Sequence, residues 1–361
     1  WRYLGVYSPS LRTASQPSRG TPTTIMLPRS LLLLSLASAD AFAAARPHLG
    51  LPPRPAARPV HVLRGGGGAL QASLAGALAG GMALPTATGI AAACGTLCYI
   101  RQAYIFSLSY GLSMLGIGGA VLLAAPAPRS PLLAAHAGLV AAYGARLFAF
   151  LLWRQKFQPA YDGEARLKPL DKTPRLQRTP ILLSTAFFYS LLASPLLFHL
   201  QAAPLAGASA AVAGVSAAGA AVAAAGLVYE AVADQQKSRF KMALRAGGAK
   251  DRLYMGGLYA QSRHANYLGE LVFWTGSFLA GAPSIAAAAG LPLWARALRL
   301  VAASLGLAGI FFIMTSATKR LEGKQREKYG AEAEYATSRA RTRCCQSSEG
   351  GEGGCCTHEF P

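Results

Sequence analysis

The sequence predicts an all-α fold: a polytopic membrane helix bundle of about seven transmembrane helices. Three observations predict it. Of the 361 residues, 52% are hydrophobic and only 14% charged, a balance too apolar for an ordinary soluble domain. The apolar residues fall into long blocks, and about 20 such residues cross the hydrocarbon core as a helix. The blocks also lack the polar face that a helix at a soluble protein's surface needs.

The blocks are 70–99, 104–125, 131–153, 181–201, 204–228, 267–291 and 298–314. Those at 70–99 and 204–228 are rich in Ala and Gly; those at 104–125 and 181–201 are the most clearly apolar. The formal net charge is +20. Basic residues gather at 154–178, 237–263 and 319–343, and two blocks separate each neighbouring pair. An even number of crossings puts all three stretches on one side, which the positive-inside rule makes cytosolic or its equivalent. The basic stretches lack the aromatic interleaving of single-strand binders, so nucleic acid is not an expected partner. Cys94 and Cys98 sit in an apolar segment and read as small packed hydrophobes. Cys344, Cys345, Cys355 and Cys356 lack the spacing of a zinc ladder, and no metal site is expected.

Residues 1–25 read as an upstream segment outside the fold. From Met26, a basic residue, a Leu run and small residues resemble a signal peptide. Cleavage after Ala41, leaving Phe42 first, resembles the two-part plastid leaders of algae with complex plastids, with the acid-free stretch 46–64 as the transit part. An ordinary ER signal or anchor is the other reading. The expected location is therefore an ER/endomembrane or plastid membrane. The expected organisation is a leader and linker over 26–68, N-terminal membrane helices over 69–155, a C-terminal membrane domain over 156–343 and a tail over 344–361.

Polar residues in so apolar a chain mark where chemistry would sit. Glu230, Asp234, Lys237 and Lys241 recur at spacings of four, three and four, so on a helix they share one face. That face reads either as a helix end with internal salt bridges or as the polar wall of a ligand pocket. A second cluster runs from Gly256 to Glu270 and includes Tyr259, Arg263, His264, Asn266 and Tyr267. Glu270 falls a turn into an apolar segment, where a lone carboxylate needs a partner. Tyr229 and Trp274 read as core or interface residues.

The stretch SRHANYLGE, preceded by GGLY and by ADQQKSRFK, resembles the C-terminal domain of the steroid 5α-reductase family, in its broad branch of uncharacterised members. The piece from Gly144 through Arg154 looks like that family's earlier Arg-Leu helix, and the match covers roughly 141–335. The resemblance implies a bundle that binds NADPH from the cytosolic face, with Asp234, Lys237, Arg263, His264, Asn266, Tyr267, Glu270 and Tyr335 at the cofactor. It implies reduction of a carbon–carbon double bond conjugated to a ketone, or of a sterol double bond. Lys237 and Arg263 suit phosphates; Asn266 and Glu270 suit amide and ribose groups. The chain departs from the pattern at Ala265, where Pro is usual, and at Tyr259, where Trp is usual. It also lacks the family's last basic-then-Pro element.

Such a reaction needs a donor near the ketone oxygen. Glu270, Tyr104 and Tyr110 are the candidates; Tyr99 and Tyr143 are of the right type, but no motif selects them. Arg146 is placed to answer a carboxylate, whereas His136 and His199 read as isolated, satisfied polar groups. The expected partners are a lipid-like small molecule and the membrane lipids. Two other classes stay open. Isoprenylcysteine and phospholipid methyltransferases share a related bundle and use S-adenosylmethionine, but usually carry paired acids where Glu322 and Glu327 stand apart. A non-catalytic membrane protein that keeps the bundle is the third.

Overall fold

The computed structural model describes residues 83–125, 130–157, 171–202, 210–288, 290–333, 335, 336 and 339. The leader expected at 26–68, the start of the block at 70–99 and the Cys-rich tail lie outside them. All regular structure among the described residues is helical. It comprises α1 (Ala83–Gly95), α2 (Leu108–Ala124), α3 (Pro131–Phe157), α4 (Thr179–Leu192), α5 (Ser194–Gln201), α6 (Ala210–Ala246), α7 (Ala265–Ala286) and α8 (Leu293–Tyr329), with four short 3₁₀ turns at Thr96–Tyr99, Gln102–Phe106, Leu176–Arg178 and Gly257–Ala260.

The chain is a multi-pass membrane protein. Helices α3, α6 and α8 are long and apolar enough to cross a bilayer. Each leaves much of its apolar surface uncovered: Leu298, Val301, Leu305 and Phe312 of α8 are all exposed. A bilayer solvates such surface where water would not. Among the described residues three helices meet that length and composition, or four spans if α4 and α5 count as one broken span bent by 53°, and the expected count of about seven is not confirmed there. The reasons are local. Pro195 lies at the start of α5, where its missing N–H breaks the helix that would have run through 181–201. Helix α2 is apolar but has only 17 residues, and α7 carries Asn266, Glu270, Ser277 and Ser284 along its length. From Ala210 on, the block at 204–228 and the polar stretch after it form one 37-residue helix, α6. That helix stops where Gly248 adopts φ +65, with Ala249 N donating to Leu244 O and Gly248 N to Arg245 O. This closing pattern suits a residue without a Cβ.

Two close helix pairs organise the interior. Helices α6 and α7 run antiparallel, and glycine sets their register: a Cβ on Gly219 would strike the backbone of Ala280, on Gly226 that of Phe273, and on Gly276 that of Ala223. Small residues at these places let two backbones touch, the commonest way for helices to associate where lipid removes the hydrophobic drive. Helices α2 and α3 meet the same way through Gly111, Gly118 and Gly144, which brings Tyr110 beside Tyr143. Replacing Gly276 with Leu therefore separates α6 from α7 and lowers stability by about 3 kcal/mol or more. Gly138→Leu is the control, because a Cβ there meets nothing within 4 Å. Melting in detergent checks this, and equal melting of the two variants refutes the register.

Candidate active site

The interior of the bundle holds a hydrogen-bonded polar cluster drawn from α2, α3 and α7. Tyr110 donates its hydroxyl proton to Glu270 Oε1 at 2.9 Å. The same phenolic oxygen accepts from Trp274 Nε1 at 2.7 Å and from the Tyr143 hydroxyl at 3.2 Å. It thus makes one donated and two accepted bonds, the full capacity of a phenol. Two donors converging on one oxygen also stabilise negative charge there. Packing fixes the geometry: Tyr110 stacks on Tyr189 with centroids 5.0 Å apart, and Tyr143 stacks on Phe273 at 4.2 Å. Tyr189 is in turn held by its own bond to Ile105 O.

One layer nearer the basic end lies an ion network. Arg146 of α3 donates to Glu230 Oε1 at 2.6 Å and pairs with Asp234 as well. The shared face of α6 reads in sequence either as a helix end with internal salt bridges or as the polar wall of a ligand pocket. Its two acids turn to Arg146 on another helix, and its lysines go elsewhere: Lys241 bonds Asp251, and Lys237 lies with Nζ 5.4 Å from the Tyr259 ring centroid. Arg146 answers a carboxylate as its position predicted, and answers two.

The basic end gathers most of the motif residues. Leu258 N donates to Gln236 Oε1 at 3.0 Å, pinning the turn at 256–260 to α6. Gly257, at φ +54, sits against that same Gln236 side chain. Tyr259 donates to Asn266 Oδ1 at 3.1 Å, and Tyr267 stacks on His264. Arg263 Nε and His264 Nε2 both reach Glu322 Oε1, at 3.0 and 2.6 Å. Burial pulls the His264 imidazole below its ordinary value despite the Glu322 carboxylate, which raises it. Tyr335 is buried, and its hydroxyl has no hydrogen-bond partner among the described residues.

A clasp closes this end. Asp251, in the α6–α7 connection, bonds Lys241 of α6 together with Lys328 and Tyr329 of α8. Partial burial raises the Asp251 carboxyl, but the two lysine hydrogen bonds outweigh it and hold the group well below its usual range. A carboxyl depressed on folding stabilises above its unfolded value, near 3.9, and loses that contribution as pH falls toward its folded one. Asp251→Asn should therefore melt below wild type at neutral pH, and the gap should close below about pH 4. A gap that is constant with pH would rule this out.

The predicted residues separate into groups. Tyr110 and Glu270 come together. Tyr104 does not join them; its hydroxyl accepts from Gln155 Nε2 at 2.6 Å. Arg263, His264, Asn266, Tyr267 and Lys237 lie around one turn, while Asp234 is taken up by Arg146. Two participants had no motif to select them, Tyr143 and Glu322, and Trp274, four residues past Glu270, reads in sequence only as a core or interface residue. Glu322 did carry a signal, as a lone acid among Lys319, Arg320, Lys324 and Arg326. His136 and His199 are not isolated as expected: their Nδ1 atoms are 3.3 Å apart, and His136 Nε2 lies 2.8 Å from Ser277 Oγ. Cys94 and Cys98 are buried free thiols, as expected.

No curated protein and no solved structure matches the chain. A family whose description reads "Protein of unknown function (DUF1295)" matches residues 108–342, a stretch that holds Tyr110, Arg146, Glu230, Glu270 and every residue of the basic end. The chain belongs to the DUF1295 family.

Proposed function

We propose that this chain is a membrane-embedded, NADPH-dependent reductase of a carbon–carbon double bond conjugated to a ketone in a lipid, akin to the steroid 5α-reductases. The carrying observation is the buried hydrogen bond from Tyr110 to Glu270, which joins the motif acid to a proton-bearing group from a distant helix. Two features of the basic end suit a phosphate-bearing cofactor. Arg263 and His264 share the single carboxylate of Glu322 with Lys237 close by, and the buried Tyr335 hydroxyl is unsatisfied. Under this reading Lys237 and Arg263 hold phosphates, while Asn266, Tyr267 and Tyr335 bond sugar and amide groups. Asp234 acts at one remove, by holding Arg146.

Bound NADPH supplies the hydride for the β-carbon. The protein's own part is to polarise the ketone and deliver a proton. Tyr110 turns its proton from Glu270 to the ketone oxygen as charge develops there. Trp274 and Tyr143 keep their bonds to the phenolic oxygen and steady the charge left on it. Glu270, in its acid form, restores the proton to Tyr110; the enol then gives its O–H proton back to the Tyr110–Glu270 pair as the α-carbon takes one proton from solvent, so that one hydride and one proton are added in all. The leader reading adds an ER-derived or plastid membrane as the location.

The test is a titration of purified, detergent-solubilised protein with NADPH, NADH and S-adenosylmethionine. Saturable NADPH binding should weaken at least about tenfold in Arg263→Ala, the loss of one charge-assisted contact. Binding of S-adenosylmethionine in its place would move the chain to the methyltransferases. Binding of none of the three would leave a non-catalytic bundle.

A further inference from the structure

Helices α3, α5 and α7 build a second polar cluster. His136 is 0% exposed and His199 3%. Their facing Nδ1 atoms bond only if one ring nitrogen carries a proton and the other does not. His136 uses its Nε2 on Ser277. His199 Nε2 is buried with no partner among the described residues, a costly state unless something satisfies it. The same half of the bundle holds more unmet groups. Extending the α6–α7 register past Gly219 and Ala280 brings Ser216 level with Ser284, and both hydroxyls are buried and unpartnered. This cluster is in line with the candidate active site. His136 precedes Tyr143 by two turns of α3, and Ser277 follows Glu270 by two turns of α7. Each offset is about 10 Å along the axis and returns to the same helix face.

We propose that His199 Nε2 is a recognition point for the lipid, bonding a hydroxyl at the end of the molecule remote from its ketone. The assignment of ends rests on the reductase reading. A hydroxyl fits because it donates to a bare Nε2 in one imidazole tautomer and accepts from Nε2–H in the other. His136 and Ser277 are positioning residues that fix the ring of His199. The substrate class is then a rigid or extended lipid enone carrying a neutral hydroxyl about two helical turns from its carbonyl.

The probes are testosterone, as a rigid enone with a hydroxyl at its far end, and the same steroid without that hydroxyl. Binding of each radiolabelled probe to the purified full chain with NADPH is measured directly, alongside NADPH oxidation. Wild type should bind the hydroxylated probe about tenfold more tightly, the value of one buried hydrogen bond. That ratio should fall to about one in His199→Leu, survive in part in His199→Gln, and drop in Ser277→Ala with recovery in Ser277→Thr. Should His199→Leu fail to fold, the other three variants carry the comparison. A wild-type ratio near one, binding of neither probe, or a ratio that outlives the loss of His199 overturns the proposal. Hydroxyl-dependent binding without NADPH oxidation would sink the reductase reading and keep the His199 contact; oxidation of two equally bound probes would do the reverse.

Discussion

Tyr110→Phe and Glu270→Gln should each cut enone turnover by about 10²- to 10⁴-fold, the usual worth of a positioned proton donor. NADPH should still bind both variants, because neither residue belongs to the basic turn around Arg263 and Asn266. The two substitutions remove different things. Tyr110→Phe deletes the hydroxyl that meets the ketone and strands the indole N–H of Trp274. Glu270→Gln leaves Tyr110 in place but removes the acid that returns its proton. If the two form one relay, the double variant should be little worse than either single one, since residues acting as a unit are strongly non-additive. A structural role predicts the opposite pattern: lower melting temperature, unchanged kcat in the folded fraction, and additive losses. Single-turnover rates on folded protein, set against melting curves, separate the two. Full turnover in folded Tyr110→Phe would end the claim for Tyr110.

Part of this was legible in the sequence. Apolar blocks and the placing of basic stretches predicted the helices and the gathering of Arg154, Lys237 and Lys328 toward one end. That Glu270 needs a partner followed from its place in an apolar segment, because a buried carboxyl needs a donor; that the donor is a tyrosine did not. Which tyrosine it would be was not legible. Tyr104 and Tyr110 lie in one block, and only the Gly111–Gly144 contact between α2 and α3 selects Tyr110. The same contact recruits Tyr143, whose neighbours in sequence are Ala142 and Gly144 and give no sign of it. The His136–His199 pair was missed for a related reason. It spans α3 and α5 across a break at Pro195, so no linear spacing records it. Block length measures apolar content and is blind to where proline interrupts a helix, so the blocks do not map one to one onto long apolar helices among the described residues.

Arg146→Met should lower stability by about 3–5 kcal/mol, the cost of breaking a buried ion pair from one side. The guanidinium serves two carboxylates on α6, Glu230 and Asp234, and Glu230 Oε2 already lacks a partner among the described residues. Without Arg146 both acids face each other and Glu270 across a nearly dry interior. Lysine should not rescue the loss, since a single ammonium cannot reach two carboxylates in the fork geometry that a guanidinium offers. Glu230→Gln in the Arg146→Met background should recover part of the stability, because it removes one uncompensated charge. The coupling energy from that double-mutant cycle should fall at about 1–3 kcal/mol. Arg146 links α3 to α6, and α6 is locked to α7 by glycine. Its loss should therefore also loosen the register that sets Glu270 against Tyr110, so turnover should fall further than stability alone accounts for. Denaturant unfolding in detergent gives the first quantity and turnover of the folded fraction the second. An Arg146→Met protein as stable as wild type would mean that the α6 acids are neutral, and that the network contributes alignment without charge.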